Sequence, residues 1–326
     1  MGFRLALAFA GVGIESAPQA TSGAVSQAEL VGLGLATLDT ILALPHWPEP
    51  DGRLVVDALV RAGGGPAATA AVAAARLGRS VSFVGGVGDD EVGETVLAGL
   101  REAGVGVAHV RRRCGSSPQS VILVDRQADT RTILHSPGVA GDPPEIEAAA
   151  RRACLAAAWV HVDHAGWSLT AGLPRERLSV DGGNPIPELE LAGLGLYAPS
   201  AAGLAERYPG LGPAEAVGQA LGEGAQRVVV TLAGGGALAA TRDGAWRVAA
   251  AEVEVVSTLG AGDVFHGALL AAFLDGDELP AALRRANVAA ALSCRAMDGR
   301  SAIPSREELE AALPGSPPVR QSDLEE

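Results

Sequence analysis

The residues best suited to carry out chemistry lie in the stretch STLGAGDVFHGALL at positions 257–270. Gly260, Ala261 and Gly262 precede Asp263, and apolar residues then recur at helical spacing, which predicts that Asp263 lies in the first turn of a helix. Free amides at a helix N-terminus bind anions. A carboxylate beside them can take a proton from a hydroxyl that attacks a phosphoryl group. The alternative is that Asp263 only complements the helix dipole, which is worth about 0.3–1 kcal/mol.

A second glycine cluster lies in AGGGPAATAAVAAARLG at positions 62–78 and joins a predicted strand to a helix made mostly of alanine. Gly64 and Gly65 leave the backbone open to a phosphate, but no acid follows them, and Pro66 removes one amide donor at the start of the helix. The position of these glycines predicts a hinge. The small side chains of the helix allow its backbone to pack closely against a neighbour.

A third glycine cluster lies in VVVTLAGGGALAATRDG, between two predicted strands. Thr231 ends the first of these strands, and Gly234 to Gly236 form the turn that follows. One interpretation of this turn is the wall of a nucleotide site, and the other is an ordinary hairpin.

The composition excludes several classes of protein. All 25 basic residues are arginines, whereas Walker A nucleotidases, protein kinases and pyridoxal-phosphate enzymes each need a lysine. The net charge of −13 argues against nucleic acid as a partner. Three widely spaced cysteines indicate reduced thiols and a cytoplasmic protein. The apolar run near the start is too short to span a bilayer, so residues 1–28 are predicted to be a flexible extension, with secretion as the alternative.

The order of the predicted elements indicates an α/β fold. From Glu29 onward, apolar strands alternate with helices, which predicts a mostly parallel sheet with helices on both faces. Two segments, at about 50–63 and 117–136, have strand patterns with no helix between them and predict a small β-sheet lid. The main domain is predicted to span residues 29–312, and residues 313–326 to form a disordered tail.

Several polar residues are predicted to converge at the carboxyl edge of the main sheet, where ligands bind in open parallel sheets. These are Asp39 after the first strand, Asp163 and His164 after a later one, and Asp181 after the next. The histidines at positions 135, 161 and 164 do not show metal-ligand spacing, and at least two of them are predicted to be ordinary core or polar residues.

Five segments in order resemble the landmarks of the PfkB (ribokinase-like) family of carbohydrate kinases, over essentially all of residues 29–304. AGGGPAATAAVAAARLG resembles the first signature of the family, and VVSTLGAGDVFHGALL resembles the second. GGVGDDEVGE, VVVTLAGGGALAA and ANVAAALSCRAMDGRSAIP resemble the remaining landmarks. Within the family, the segments look most similar to sulfofructose kinases and ketohexokinases.

The resemblance implies a ribokinase-like three-layer α/β/α sandwich with a β-lid, which uses ATP and Mg²⁺ to phosphorylate a primary hydroxyl of a sugar. The implied acceptor is the 1-hydroxyl of a ketohexose such as fructose or 6-deoxy-6-sulfofructose. Asp263 would be the base, with Gly260, Ala261 and Gly262 as the anion hole. The sugar would contact Asp39, Gly64, Gly65, Thr69, Arg53 and His135. The nucleotide would contact Thr231, Gly234, Gly236, Thr258, Gly260, Gly262 and Asn287.

The sequence also departs from the family pattern. The usual N-x-x-E, which helps to organise magnesium, is replaced by residues 200–203, SAAG, so magnesium must be held in another way, through water and Asp181. Ser257 replaces an Asp before the anion hole, which puts activation by a monovalent cation such as K⁺ in doubt. Thr69 stands where most members have a sugar-binding Asn.

A sulfonate would need a cationic clamp, for which arginine is well suited. Arg53 is the candidate, with His135 or Arg131 as helpers, and a surface salt bridge is the alternative role for Arg53. The functional alternatives are a ribokinase or nucleoside kinase on the same fold, or a catalytically silent sugar-binding regulator. A homodimer that forms through the lid is expected because an uncovered sheet edge is an aggregation liability.

Overall fold

The computed structural model describes residues 28–128, 130–141 and 146–324. The predicted flexible extension, apart from Ala28, lies outside these residues. The strands are β1 (Leu30–Leu33), β2 (Thr37–Leu44), β3 (Ala58–Gly64), β4 (Val81–Gly88), β5 (Val105–Arg113), β6 (Gln119–Asp125), β7 (Thr130–Ser136), β8 (Trp159–Val162), β9 (Leu178–Asp181), β10 (Leu196–Ala198), β11 (Val228–Thr231), β12 (Ala237–Thr241), β13 (Gly244–Val248) and β14 (Arg320–Ser322). The α-helices are α1 (Pro66–Arg76), α2 (Glu91–Glu102), α3 (Ala148–Ala156), α4 (Ala201–Arg207), α5 (Pro213–Gly222), α6 (Ala261–Leu274), α7 (Leu279–Ser293) and α8 (Arg306–Ala312). In the described part of the chain, no helix is long and apolar enough to cross a membrane.

The main sheet has ten strands in the order β14-β13-β12-β11-β10-β9-β8-β1-β4-β5. The strands from β11 through β5 in this order are parallel, and β12, β13 and β14 continue the sheet as antiparallel strands. One cluster of buried apolar residues includes side chains of α1, α2, α6, α7 and α8, and a second includes side chains of α3, α4 and α5. This arrangement confirms the predicted α/β fold with a mostly parallel sheet and a smaller separate sheet.

The smaller sheet, the lid, has four strands in the order β3-β2-β6-β7. The sequence predicts Asp39 at the edge of the main sheet, but Asp39 lies within β2, with Ala62 and Ser120 opposite it in the neighbouring strands. The reason is that the chain leaves β1 at Leu33 and enters the lid after the short turn 34–36. The lid strand expected from about residue 50 begins only at Ala58.

The packing of α6 against α1 explains the small residues of both helices. A Cβ at Gly267 of α6 would overlap the carbonyl oxygen of Ala70 and would lie 2.8 Å from the Cβ of Ala73. The backbones of the two helices therefore approach more closely than any larger side chain would allow. This close contact fixes the position of α6 relative to α1.

The C-terminal segment differs from the predicted disordered tail. Residues Arg320–Ser322 form β14 and pair with β13 at the edge of the main sheet. The guanidinium group of Arg284 on α7 also donates hydrogen bonds to the carbonyl oxygens of Leu313, Ser316 and Pro317. The polar composition concealed this order, because the partners that hold the segment are distant in the sequence.

Candidate active site

Asp263 lies in the first turn of α6, as the sequence predicts. The helix begins after Gly260, which has a φ of 73°, and a Cβ at this position would lie 2.8 Å from the Cα of Gly299. Glycine is therefore required there for both its backbone conformation and its close contact. Gly260 and the half-buried Asp263 of this turn line one pocket. The predicted residues that line this pocket are Asp39, Gly64, Gly65, Thr69, Gly260 and Asp263.

Asp39 enters this pocket from the lid and is held in a fixed orientation. The hydroxyl of Thr37 donates a hydrogen bond of 2.7 Å to Asp39 Oδ1. A Cβ at Gly64 would overlap Asp39 Oδ2, so the glycine makes room for the carboxylate. Burial raises the pKa of Asp39, and hydrogen bonds from Thr37 and Ser120 oppose that change.

The electrostatic environment of Asp263 suits a proton acceptor. Burial raises the pKa of Asp263 well above its ordinary value, and the negative charges of Asp181 and Asp163 raise it further, while Arg300 opposes them. A carboxylate with a raised pKa is a stronger base and more readily accepts a proton from a hydroxyl near neutral pH.

Arg300 contacts Thr69 and Gly64, two residues that line the pocket, and it is not predicted from the sequence. Its Nε donates to Thr69 Oγ1 at 3.1 Å, and its Nη2 donates to the carbonyl oxygen of Gly64 at 2.6 Å. Burial lowers the pKa of Arg300 to about 10, whereas the charges of Asp39 and Asp263 act in the opposite direction. Arg300 is therefore the internal counter-ion of the two carboxylates. Its partners lie more than two hundred residues earlier in the chain, so no local pattern points to it.

The predicted clamp residues of the lid occupy different environments. His135 stands opposite Ser120 on the same face as Asp39, and its Nδ1 lies 3.3 Å from Ser120 Oγ. Arg131 donates from Nη1 to Thr258 Oγ1 at 3.1 Å, so it connects the lid to the segment before α6. Arg53 is exposed, and it is not among the described residues that line the pocket.

The predicted nucleotide residues lie around the neighbouring strand ends. Thr231 ends β11 and forms a bridge to Ser200, which follows β10. Gly236 has a φ of 86°, and a Cβ there would overlap the carbonyl oxygen of Val248, whereas a Cβ at Gly234 would meet open space. The amide of Asn287 is buried and donates to the carbonyl oxygen of Ala249 at 2.9 Å. Asn287 thus positions the chain after β13.

The comparisons with known proteins agree with this geometry. The family model described as pfkB family carbohydrate kinase matches residues 27–179 and 208–306, which is most of the chain. The chain belongs to this family. This pfkB kinase is 24% identical to a ribokinase of Haemophilus influenzae over 295 residues, which cover 86% of this chain and 96% of that protein. It is 29% identical over 302 residues to an ATP-dependent ribose-1-phosphate kinase of Halopiger xanaduensis, with 87% and 97% of the two chains covered.

A solved structure of an Arabidopsis thaliana ribokinase, complexed with ribose and ATP, is similar to this pfkB kinase with a TM-score of 0.77. The two chains are 22% identical, and the match covers 88% of this chain and 98% of that one. Together the comparisons confirm the predicted family, the ribokinase-like fold and a sugar kinase that transfers phosphoryl groups to an alcohol. They do not confirm the particular similarity to sulfofructose kinases.

The departure from the N-x-x-E pattern of the family has a structural basis. Ser200 caps α4, and its Oγ accepts a hydrogen bond from the amide of Gly203 at 3.1 Å. A Cβ at Gly203 would overlap the carbonyl oxygen of Gly182. The backbone therefore leaves no room for a glutamate side chain at position 203.

The residues present nevertheless fit Mg²⁺ and ATP. Asp263 offers carboxylate oxygens, which are the ligands that Mg²⁺ prefers, whereas the almost fully buried Asp181 would act on Mg²⁺ through water and its charge. A Cβ at Gly262 in the first turn of α6 would meet open space, so the amides there are accessible to a phosphate.

Asp163 has a structural role that the sequence does not reveal. Its Oδ2 accepts hydrogen bonds from the amides of Leu35 and Ala67, and its Oδ1 accepts two more from Ala165 and Gly166. Asp163 thereby ties the end of β8 to the chain that enters the lid and to the first turn of α1. His164, the neighbouring residue, is exposed.

Proposed function

We propose that this pfkB kinase transfers the γ-phosphoryl group of ATP to a primary hydroxyl of a small neutral sugar. The observation that carries the proposal is the pocket that Asp39 lines from the lid and that Gly260 and Asp263 line at the start of α6. One carboxylate is placed to hold a polyol, the other to take a proton, and the amides to receive negative charge. These are the three tasks of a kinase that works by positioning and charge stabilisation.

In the proposed mechanism, Asp39 accepts hydrogen bonds from two sugar hydroxyls and orients the acceptor. Asp263 takes the proton of the attacking hydroxyl, and the amides of Gly260, Ala261 and Gly262 hold the charge that develops on the transferred group. Arg300 keeps Thr69 and the carbonyl of Gly64 in place and balances the charge of the two acids. Mg²⁺ bound with ATP would neutralise part of the charge of the phosphates.

The nucleotide is proposed to lie over the ends of β10 and β11. Thr231, Gly234 and Gly236 would form one wall, with Thr258, Gly260 and Gly262 on the other side of the phosphates. Asn287 would act through the segment around Ala249, which it holds. Asp181 is almost fully buried, so its influence on magnesium would pass through water and through its charge.

The acceptor is proposed to be a ketohexose phosphorylated at its 1-hydroxyl, with fructose as the first choice. The names of the relatives favour a pentose as the second candidate. The local charge favours a neutral sugar over an anionic one, because the carboxylates of Asp39 and Asp263 line the pocket and Arg300 alone among the described basic residues acts on both of them. A sulfonate such as that of 6-deoxy-6-sulfofructose would need Arg131, which contacts Thr258 before α6, and His135, which lies on the same face of the lid as Asp39.

A coupled assay of ADP release tests this proposal with matched pairs of acceptors. Fructose is compared with 6-deoxy-6-sulfofructose, ribose with ribose 1-phosphate, and ribose with nucleosides. We expect the highest kcat/KM for a neutral free sugar. A preference for the charged member of a pair would overturn the choice of a neutral sugar. Sugar binding without ADP release from any acceptor would favour the silent regulator.

The kinase is also proposed to form a homodimer through the lid. Leu59, Val121 and Leu134 are exposed and share the face of the lid that is opposite to Asp39, as the strand register shows. Burial of such a face against a second copy would remove this apolar surface from water. Light scattering should give the mass of a dimer at micromolar concentration, and Leu59→Glu with Leu134→Glu should give a monomer. A wild-type monomer would contradict the proposal.

A further inference from the structure

A cluster of three buried side chains lies beneath the pocket, between the main sheet and α6. It consists of His161 on β8, Asp181 at the end of β9 and His266 on α6. The three residues are exposed by only 1%, 4% and 3%. One ligand atom from each lies within 4.8 Å of the other two. Sequence spacing does not reveal this cluster, because three separate elements contribute to it.

Three of the four ring nitrogens of this cluster lack hydrogen-bond partners in the described part of the chain. His161 Nδ1 lies 3.1 Å from Ser179 Oγ, but His161 Nε2 is buried with no hydrogen-bond partner. Both ring nitrogens of His266 are also buried without partners. Its Nδ1 is 3.7 Å from Asp181 Oδ2, which is longer than a hydrogen bond. Buried polar atoms in native proteins nearly always have a partner, so these atoms indicate a ligand that they share.

The chemistry of the three side chains identifies the class of ligand. Two imidazoles and one carboxylate are a donor set suited to Zn²⁺ and related divalent transition metals, whereas Mg²⁺ prefers oxygen ligands alone. Burial lowers the pKa of both His161 and His266, so both rings are neutral and have a free lone pair. The contact between His161 Nδ1 and Ser179 Oγ orients the ring so that Nε2 faces the cluster, as an outer-shell partner does in metal sites.

We propose that His161, Asp181 and His266 form a binding site for a divalent transition metal of the Zn²⁺ class, with water as the fourth ligand. The metal joins β8, β9 and α6 at one point. His266 follows Asp263 by three residues on α6, so the metal holds the first turn of that helix against the sheet. Asp181 Oδ1 already accepts a hydrogen bond of 2.7 Å from the amide of Gly183, which leaves Oδ2 for the metal.

Metal titration of the purified full-length chain tests this site without any assay of activity. The protein is treated with a chelator, transferred to buffer with excess Mg²⁺, and titrated with Co²⁺ as a spectroscopic probe. We expect one Co²⁺ per chain, visible absorption bands of a four- or five-coordinate ion, and displacement by Zn²⁺ but not by Mg²⁺. Zn²⁺ should also raise the thermal midpoint, because a ligand that binds only the folded state stabilises it.

Matched variants connect this binding to the cluster. His266→Asn and His161→Gln should weaken Co²⁺ binding by at least about 100-fold, because even changes in outer-shell partners cost 10- to 100-fold in affinity. Ser179→Ala should have a smaller effect of the same sign. His46→Asn, which changes an exposed histidine of the lid, should bind Co²⁺ like the wild type.

Three results would overturn the proposal. They are the absence of stoichiometric Co²⁺ binding by the wild type, displacement of Co²⁺ by Mg²⁺, or equal binding by His266→Asn and His46→Asn. Any of them would leave the cluster as a polar cavity filled by water. If the cluster variants do not fold, the titration and spectrum of the wild type decide alone. None of these outcomes depends on which sugar the enzyme phosphorylates.

Discussion

Two aspartates lie in the same central region, Asp163 directly after β8 and Asp263 at the start of α6, yet their carboxylates have different hydrogen-bond partners. Asp163, after β8, accepts four hydrogen bonds from backbone amides. Asp263, in the first turn of α6, makes no hydrogen bond within the described part of the chain, and its pKa is raised by burial and by Asp181 and Asp163. The difference lies in the backbone around each acid.

This comparison distinguishes a structural acid from a reactive one. Burial raises the pKa of Asp163 as well, but four backbone amides offset part of that cost and leave its carboxylate little capacity for another partner. The charge of Asp263 is opposed only at a distance by Arg300, so its oxygens remain available to a hydroxyl. Asp39 is intermediate, because Thr37 and Ser120 satisfy part of its carboxylate and a sugar can satisfy the rest.

The largest expected effect comes from Asp263→Asn, which keeps the shape of the side chain but removes the proton acceptor. We expect kcat to fall by about 100-fold or more, because general-base catalysis contributes 10²- to 10⁴-fold. If Asp263 only complemented the helix dipole, which is worth about 0.3–1 kcal/mol, kcat would stay almost unchanged. Steady-state kinetics with saturating ATP and sugar measure the difference. A variant that retains near-wild-type kcat would remove Asp263 from the mechanism.

Asp39→Ala tests the intermediate case. Loss of two charge-assisted hydrogen bonds, each worth about 1.5–3 kcal/mol, should raise the KM for the sugar by at least about 10-fold and lower kcat. The KM for ATP should stay near the wild-type value. Thr37→Val is the graded control, because it removes only the bond that orients Asp39, and it should give a smaller change in the same direction. Unchanged sugar kinetics in Asp39→Ala would place the sugar elsewhere.

The contrast among these acids could be predicted from the sequence only in part. The glycines before Asp263 and the helical spacing after it were enough to predict the turn, and the alternation of strands and helices from Glu29 onward was enough to predict the α/β fold. The roles of Asp163 and Arg300 were not predictable, because the amide of Ala67 and the hydroxyl of Thr69 are far from them in the sequence. The position of Asp39 in the lid could not be predicted for a different reason. A turn as short as residues 34–36 gives no sign in the sequence that the chain passes from one sheet to the other.

Asp163→Asn should affect stability instead of chemistry. Its amide group can accept hydrogen bonds through one oxygen only, so at least two buried amides would lose their acceptor. An unsatisfied buried group costs about 1–3 kcal/mol, and we expect the free energy of unfolding to fall by at least about 2 kcal/mol. Urea unfolding measures this loss, and kinetics on the folded fraction should show a kcat within a few-fold of the wild type. A collapse of kcat with unchanged stability would reverse the roles assigned to the two acids.

The smallest expected effect is on the pH dependence of stability. It distinguishes Asp263 from an acid whose charge is stabilised by hydrogen bonds in the folded state. The pKa of Asp263 in the folded state is raised above its ordinary value of 3.8, first by burial and then by Asp181. At pH values between 3.8 and the raised pKa of the folded state, the folded state binds more protons than the unfolded state. The free energy of unfolding therefore falls as the pH rises through this window. At neutral pH the charge of Asp263 is therefore a cost. Asp263→Asn should be at least as stable as the wild type there, and the difference should disappear as the pH falls to 3.8 and below, where the wild type is also neutral.

Asp90 is a matched control, because its pKa is shifted in the opposite direction to that of Asp263. Burial acts to raise the pKa of Asp90, but hydrogen bonds from Ser117 and from the amide of Gly93 outweigh it, so the folded pKa lies below the ordinary value. The stability that the Asp90 carboxylate contributes is present above the unfolded pKa and is lost as the pH falls through the folded pKa. Asp90→Asn should therefore be less stable than the wild type at neutral pH and match it in acid. Thermal midpoints of the three proteins across this pH range measure both signs, and parallel curves for the two variants would contradict the view that Asp263 is held uncompensated for catalysis.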